Sequence, residues 1–175
     1  MPLLVVQAFV NTYEADRGSD LLADAATATG WLRLAGLLGA GEPVDAADVA
    51  ELRSVRESLR SMLVANAGDG APNADRRHEL AKMAGQGSLR IGWDEADEVT
   101  LDVEAARPAV AAVLRLALIV RDAQRDGSWR RLKACSNDEC RWAYYDRSHS
   151  RQGRWCDMSI CGNRVKNRAL RARRR

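Results

Sequence analysis

Histidine, phenylalanine and proline are scarce in this chain, with two, one and four residues among 175. Two histidines leave little material for imidazole bases, and neither stands in an HExxH pair. No GxxxxGK[ST] phosphate loop and no GxSxG elbow occurs either, so the sequence reads as that of a non-enzyme. No apolar run approaches the ~20 residues of a membrane span. The longest, Ala109 to Val120, is interrupted by Arg115. Met1-Pro2-Leu3 opens no basic stretch followed by an apolar region and a cleavage site, and the expected compartment is the cytoplasm. Cysteine is missing from the first 134 residues and then appears at 135, 140, 156 and 161.

That spacing, C-x4-C followed after fifteen residues by a second C-x4-C, brings two short thiol pairs together across a loop. Zn²⁺ favours four thiolates at the corners of a tetrahedron, and a site with all four positions filled is structural. Two disulfides are the alternative, with three connectivities open to four cysteines. They need an oxidising compartment, whereas the expected one is the cytoplasm. Zinc held by Cys135, Cys140, Cys156 and Cys161 is therefore the expectation. His149 lies between the pairs and could replace one cysteine, although four thiolates already complete the shell.

Charge is divided as unevenly as cysteine. Residues 129–175 hold 14 Lys+Arg against 4 Asp+Glu, net +10, whereas 1–128 are net −7. Four thiolates with one Zn²⁺ subtract about 2 from the basic segment, leaving about +8 in need of an acidic partner. Arg141 and Arg154 stand near enough to the cysteines to neutralise thiolates. If Asn163 caps a helix running to the C-terminus, Arg164, Arg168, Arg171 and Arg175 fall on one face, with Val165, Ala169 and Ala172 on a separate apolar stripe. Such a face can track phosphates or enter a major groove.

The run Arg154-Trp155-Cys156-Asp157-Met158-Ser159-Ile160-Cys161-Gly162-Asn163-Arg164 resembles the CGNR zinc-finger family. Tyr145-Asp146-Arg147-Ser148 resembles the same family's aromatic-Asp-x-Ser stretch. Phe9-Val10-Asn11-Thr12 and the segment from Gly30-Trp31-Leu32 to Leu37 resemble the ABATE-type domain that precedes that finger. The resemblance covers both ends of the chain. It implies a stress-induced transcription regulator, with zinc as structural cofactor and a small-molecule effector for the N-terminal domain.

From the N-terminus, Leu3 to Val10 reads as a helix, with Asn11 and Thr12 satisfying local backbone groups at its end. Asp20 is the expected N-cap of a helix from Leu21 to Leu38, with Trp31 in the core. Asp45, with Asp48 three residues on, opens a helix to about Asn66 along which Val49, Leu52, Val55, Leu59, Met62 and Leu63 recur at helical spacing. A shorter helix covers Ala74 to Ala84, with Leu80 and Met83 inward and His78 at the surface. Alternation from Gly87 to Val103 predicts a β-hairpin with one buried face. Pro108 to Arg125 is the most apolar helix and the expected centre.

The fold expected is mainly α (α+β). A multihelical N-terminal domain with one β-hairpin, residues 1–128, precedes a four-cysteine zinc module, residues 129–175, that ends in a basic helix. The expected function is DNA-binding transcription regulation, with nucleic-acid contacts from Arg147, Arg151, Arg154, Arg164, Lys166, Arg168 and Arg171. Trp129, Trp142 and Trp155 are expected to pack around the metal and against the first domain. An RNA-binding protein that stacks bases on Tyr144 and Tyr145 is one alternative, and a zinc-stapled protein-interaction module is another.

Overall fold

The computed structural model describes residues 2–41, 43–70 and 74–173, so Arg174 and Arg175 lie outside it. Six α-helices form the framework of the described residues: α1 (Leu3–Val10), α2 (Ala25–Leu34), α3 (Ala46–Asn66), α4 (Ala74–Ala84), α5 (Pro108–Arg125) and α6 (Asn163–Arg173). Between them lie three antiparallel two-stranded ribbons. They are β1–β2 (Tyr13–Glu14, Ser19–Asp20), β3–β4 (Ser88–Trp93, Val99–Glu104) and β5–β6 (Leu132–Ala134, Ala143–Tyr145). Among the described residues no helix is long and apolar enough to cross a membrane.

The core is built on α3 and α5. Leu52, Val55, Leu59 and Leu63 of α3 are fully or almost fully buried, as are Val113 and Leu116 of α5. Val6, Phe9 and Val10 of α1 complete the layer, and the Trp31 ring of α2 sits 5.9 Å from that of Phe9. Each such side chain contributes roughly 1.5–3 kcal/mol on leaving water. Leu132, Ala134 and Ala143 of the β5–β6 ribbon belong to the same buried cluster. The cysteine-bearing segment is thus cemented onto α3 by apolar contact.

Local chemistry sets most element ends. Asp45 accepts a hydrogen bond from the Asp48 amide at 2.7 Å, and Asp48 accepts from the Asp45 amide at 3.2 Å, closing the capping box at α3. The expected helix from Leu21 to Leu38 is shorter at both ends. Asp20 lies in β2, where its carboxylate accepts from the Leu22 amide and pairs with Arg56 at 2.6 Å. A buried guanidinium holds it more strongly than a cap would. Asp24 takes over as N-cap, accepting from the Thr27 amide at 2.8 Å. At the other end Gly36, with φ of 69°, turns the chain so that the amides of Leu37 and Leu38 both reach the Leu32 carbonyl. Leu34 is left 91% exposed.

The β3–β4 ribbon forms where alternation places it, but its apolar face is not buried. Ile91 and Trp93 are 70% and 69% exposed. Only its base, near Val103, packs against the core. The alternation records a genuine face, and no described element of the chain covers it.

Candidate metal centre and nucleic-acid interface

Each cysteine is placed by a different local device. Cys135 follows β5, and its amide donates to the Trp142 carbonyl across the ribbon at 2.9 Å. The turn then doubles back on the Asn137 carbonyl, which accepts from the amides of Cys140 and Arg141 at 2.8 and 3.0 Å. Arg141 takes the left-handed conformation there, φ 52°. Cys156 and Cys161 flank the start of the C-terminal helix. Asp157 caps that start, accepting from the amides of Ser159 and Ile160 at 2.7 and 3.1 Å. The helix therefore opens one turn earlier than expected, as a wide π turn over Met158–Gly162. Asn163 is inside it, donating to the Ser159 carbonyl at 3.0 Å, and is not the cap.

The four sulfurs lie within 4.8 Å of one another, with Cys140–Cys156 and Cys156–Cys161 both at 3.7 Å. A Zn–S bond of about 2.3 Å implies a tetrahedron edge of about 3.8 Å, so the geometry fits one zinc ion held by four thiolates. Cys135 and Cys161 are buried and the other two half-buried. Burial pushes the Cys140 thiol up to about 11, and burial with the neighbouring Cys135 thiolate pushes Cys156 up further. Crowded sulfurs cannot all ionise without a cation among them. Asn137, itself buried, points its amide at Cys161 Sγ from 3.8 Å. With four thiolates on one ion, no coordination position is left for a catalytic water.

Gly162 has a steric reason. A Cβ there would sit 2.5 Å from Met158 Sδ and 3.4 Å from the Trp155 ring, which packs beside the metal site as expected. Trp129 is buried and Trp142 half-buried. His149 is exposed and outside the sulfur cluster.

A second constellation organises the loop after β6. Lys133 and Asp146 are both buried and pair at 2.8 Å. Lys133 also donates to the carbonyls of Arg151 and Gly153, at 2.6 and 3.1 Å. Asp146 accepts from the amides of Ser148 and Gly153, at 3.0 and 2.8 Å. Burial alone would raise the Asp146 pKa, but the Lys133 ammonium and the bonds from Ser148 and Gly153 hold it well below the usual carboxylate range. This pair fixes the loop from which Arg147 and Arg151 project.

The seven cations expected to contact nucleic acid divide into two sets. Arg147, Arg151, Lys166 and Arg171 are exposed, and their side chains make no ion pair among the described residues. Arg154 pairs with Asp69, and Arg168 with Glu139 and Asn137. Arg164 lies 4.0 Å from Asp16. Arg164, Arg168 and Arg171 line one depression of about 230 Å³ on α6, the shared face the period predicts. The Val165, Ala169 and Ala172 stripe does not rest on the module: Val165 is half-buried and both alanines are exposed, because α6 runs out into solvent beyond its first turn.

Sequence reasoning missed three anchors. Asn11 does not serve its own helix end; its amide group donates to the Ala143 carbonyl at 2.9 Å and accepts from the Ala143 amide at 2.8 Å. Only Thr12 acts locally, bonding the Phe9 carbonyl. Buried Arg60 donates to the carbonyls of Val10 and Arg141, at 2.6 and 2.8 Å, joining α1, α3 and the cysteine turn. Asp69 binds both Ser136 and Arg154. Nothing near them in sequence points to these distant partners.

The model of the CGNR zinc finger matches residues 131–174. That of ABATE, described as "Putative stress-induced transcription regulator", matches residues 5–125. No curated protein matches the chain. Neither family is an enzyme class. With four sulfurs set for zinc and the ABATE match running from α1 through α5, the chain belongs to the ABATE family and carries a CGNR zinc finger at its C-terminal end.

Proposed function

We propose that the chain is a DNA-binding transcription regulator whose zinc module makes the contacts. Residues 1–128 form the domain that holds the module, and 129–175 the module itself. The observation that carries this reading is the set of exposed cations that make no ion pair among the described residues. Arg147 and Arg151 stand on the loop pinned by Lys133–Asp146, and Lys166 and Arg171 on the helix that the zinc site anchors. Arg164 and Arg168 add to the depression on α6. Cationic groups spaced along a loop and a helix suit the regular phosphates of a duplex.

Duplex DNA is favoured over single-stranded RNA by the tyrosines. Tyr144 is half-buried with its hydroxyl enclosed, and Tyr145 packs against the core. Neither ring is displayed as base stacking would require. An effector of the N-terminal domain remains part of the proposal, as does a cytoplasmic location.

The test is the salt dependence of affinity for random-sequence duplex and for single-stranded RNA of equal length. Log K for the duplex should fall with log[salt] by about 0.9 per phosphate neutralised, a slope of about −4 if Arg147, Arg151, Lys166 and Arg171 each neutralise one. A slope near zero, or tighter binding to the RNA, refutes the reading.

A further inference from the structure

We infer that the outward apolar face of the β3–β4 ribbon is a self-association surface, through which two copies of this chain pack face to face. The register pairs Leu89 with Val103, Ile91 with Leu101 and Trp93 with Val99, so one face of the ribbon is apolar over its whole length. The other face carries Ser88, Arg90, Gly92, Thr100, Asp102 and Glu104, with Arg90 and Glu104 paired at 3.3 Å. A ribbon this strictly two-sided is built to have one side dry.

The chain does not dry it. Leu89, Ile91, Trp93 and Val99 are 41%, 70%, 69% and 59% exposed. Together they display on the order of 400 Å² of apolar surface, the size at which exposed patches mark contact sites. Stable interfaces take ~800 Å² from each partner, with an apolar centre and a polar rim. The patch supplies the centre, and the flanks of the ribbon are placed to supply the rim.

Charge selects the occupant and its orientation. The turn joining the strands, Asp94-Glu95-Ala96-Asp97-Glu98, carries four carboxylates beside the patch. Nucleic acid and anionic lipid are repelled there. A second copy fits if the dyad crosses the strands near Ile91 and Leu101. The two acidic turns then lie at opposite ends of the shared sandwich, and both polar faces stay in water. Packing turn against turn would set eight carboxylates together and is excluded. Two-fold pairing of one patch with itself is the commonest closed assembly. The dimer does not depend on the nucleic-acid reading, although it would place two zinc modules on one particle.

Sedimentation velocity on the full zinc-loaded chain, from low micromolar to a hundred micromolar, tests this. The expected result is a reversible particle of twice 19.3 kDa. Ile91→Glu with Trp93→Glu should weaken association at least tenfold. The fold should be untouched, since both side chains are already in solvent in the single chain. Leu34→Glu, an equally exposed leucine on α2, should leave association unchanged. A monomer throughout the range overturns the inference, as does a double variant that associates like the wild type.

Discussion

Replacing Asp146 by Asn tests whether the loop carrying Arg147 and Arg151 is held by a buried ion pair. The substitution keeps shape and removes one charge. Lys133 would retain the carbonyls of Arg151 and Gly153 but face an amide in place of its counter-ion. Breaking a buried pair from one side costs about 3–5 kcal/mol, and the two remaining carbonyls favour the lower end. With an m-value of about 2 kcal/mol/M in urea, the midpoint should fall by about 1.5–2 M at fixed zinc concentration. Lys133→Met should recover part of that loss in the Asp146→Asn background, because the stranded ammonium is gone. The sign of the pH dependence follows from Asp146 having its pKa depressed by folding. Its contribution is complete above the unfolded value of about 3.9 and is lost as pH falls through the folded one. The gap between wild type and variant should therefore be flat from pH 8 to about 5 and close below about pH 4. A midpoint shift under about 0.3 M, or strictly additive single and double variants, would refute the reasoning.

Asn11→Ala removes both bonds to the Ala143 backbone and should cost about 2 kcal/mol in urea unfolding, loosening the cysteine segment from α1. Asp69→Ala frees Arg154 and should raise duplex affinity about 1.5- to 5-fold, the equivalent of one exposed ion pair, measured by fluorescence anisotropy. The substitution leaves in place the cover over Leu132, Ala134 and Ala143. Zinc affinity should rise with pH and fall steeply toward acid, because burial raises the Cys140 and Cys156 thiols and protons compete with the ion for them. Zinc release to a chelator, followed by absorbance of the metal complex, reads this directly.

Periodicity and caps made much of the fold legible. The inner face of α3, its capping box and the stop at Asn66 follow from residues that interact within one or two turns. The cysteine spacing gave the metal site for the same reason, since four ligands of one ion need no knowledge of the rest of the chain. Reading failed where a distant partner outbid a local one. Asp20 was a sound cap until Arg56, 36 residues on, claimed its carboxylate. Asn11 looked like a helix-end residue because nothing nearby reveals Ala143. The Lys133–Asp146 pair was hidden because its members meet only once β5 and β6 align. At the β3–β4 ribbon, alternation correctly gave an apolar face but not what lies against it.

In the proposed function, zinc holds the cysteine segment in the form that presents its cations. Duplex affinity measured against zinc occupancy tests that most directly. Metal-stripped protein should lose binding and regain it at one equivalent of zinc per chain, whereas a variant with Cys135, Cys140, Cys156 and Cys161 changed to Ser should gain nothing. Binding of equal strength by the stripped protein, or by the four-serine variant, would contradict it.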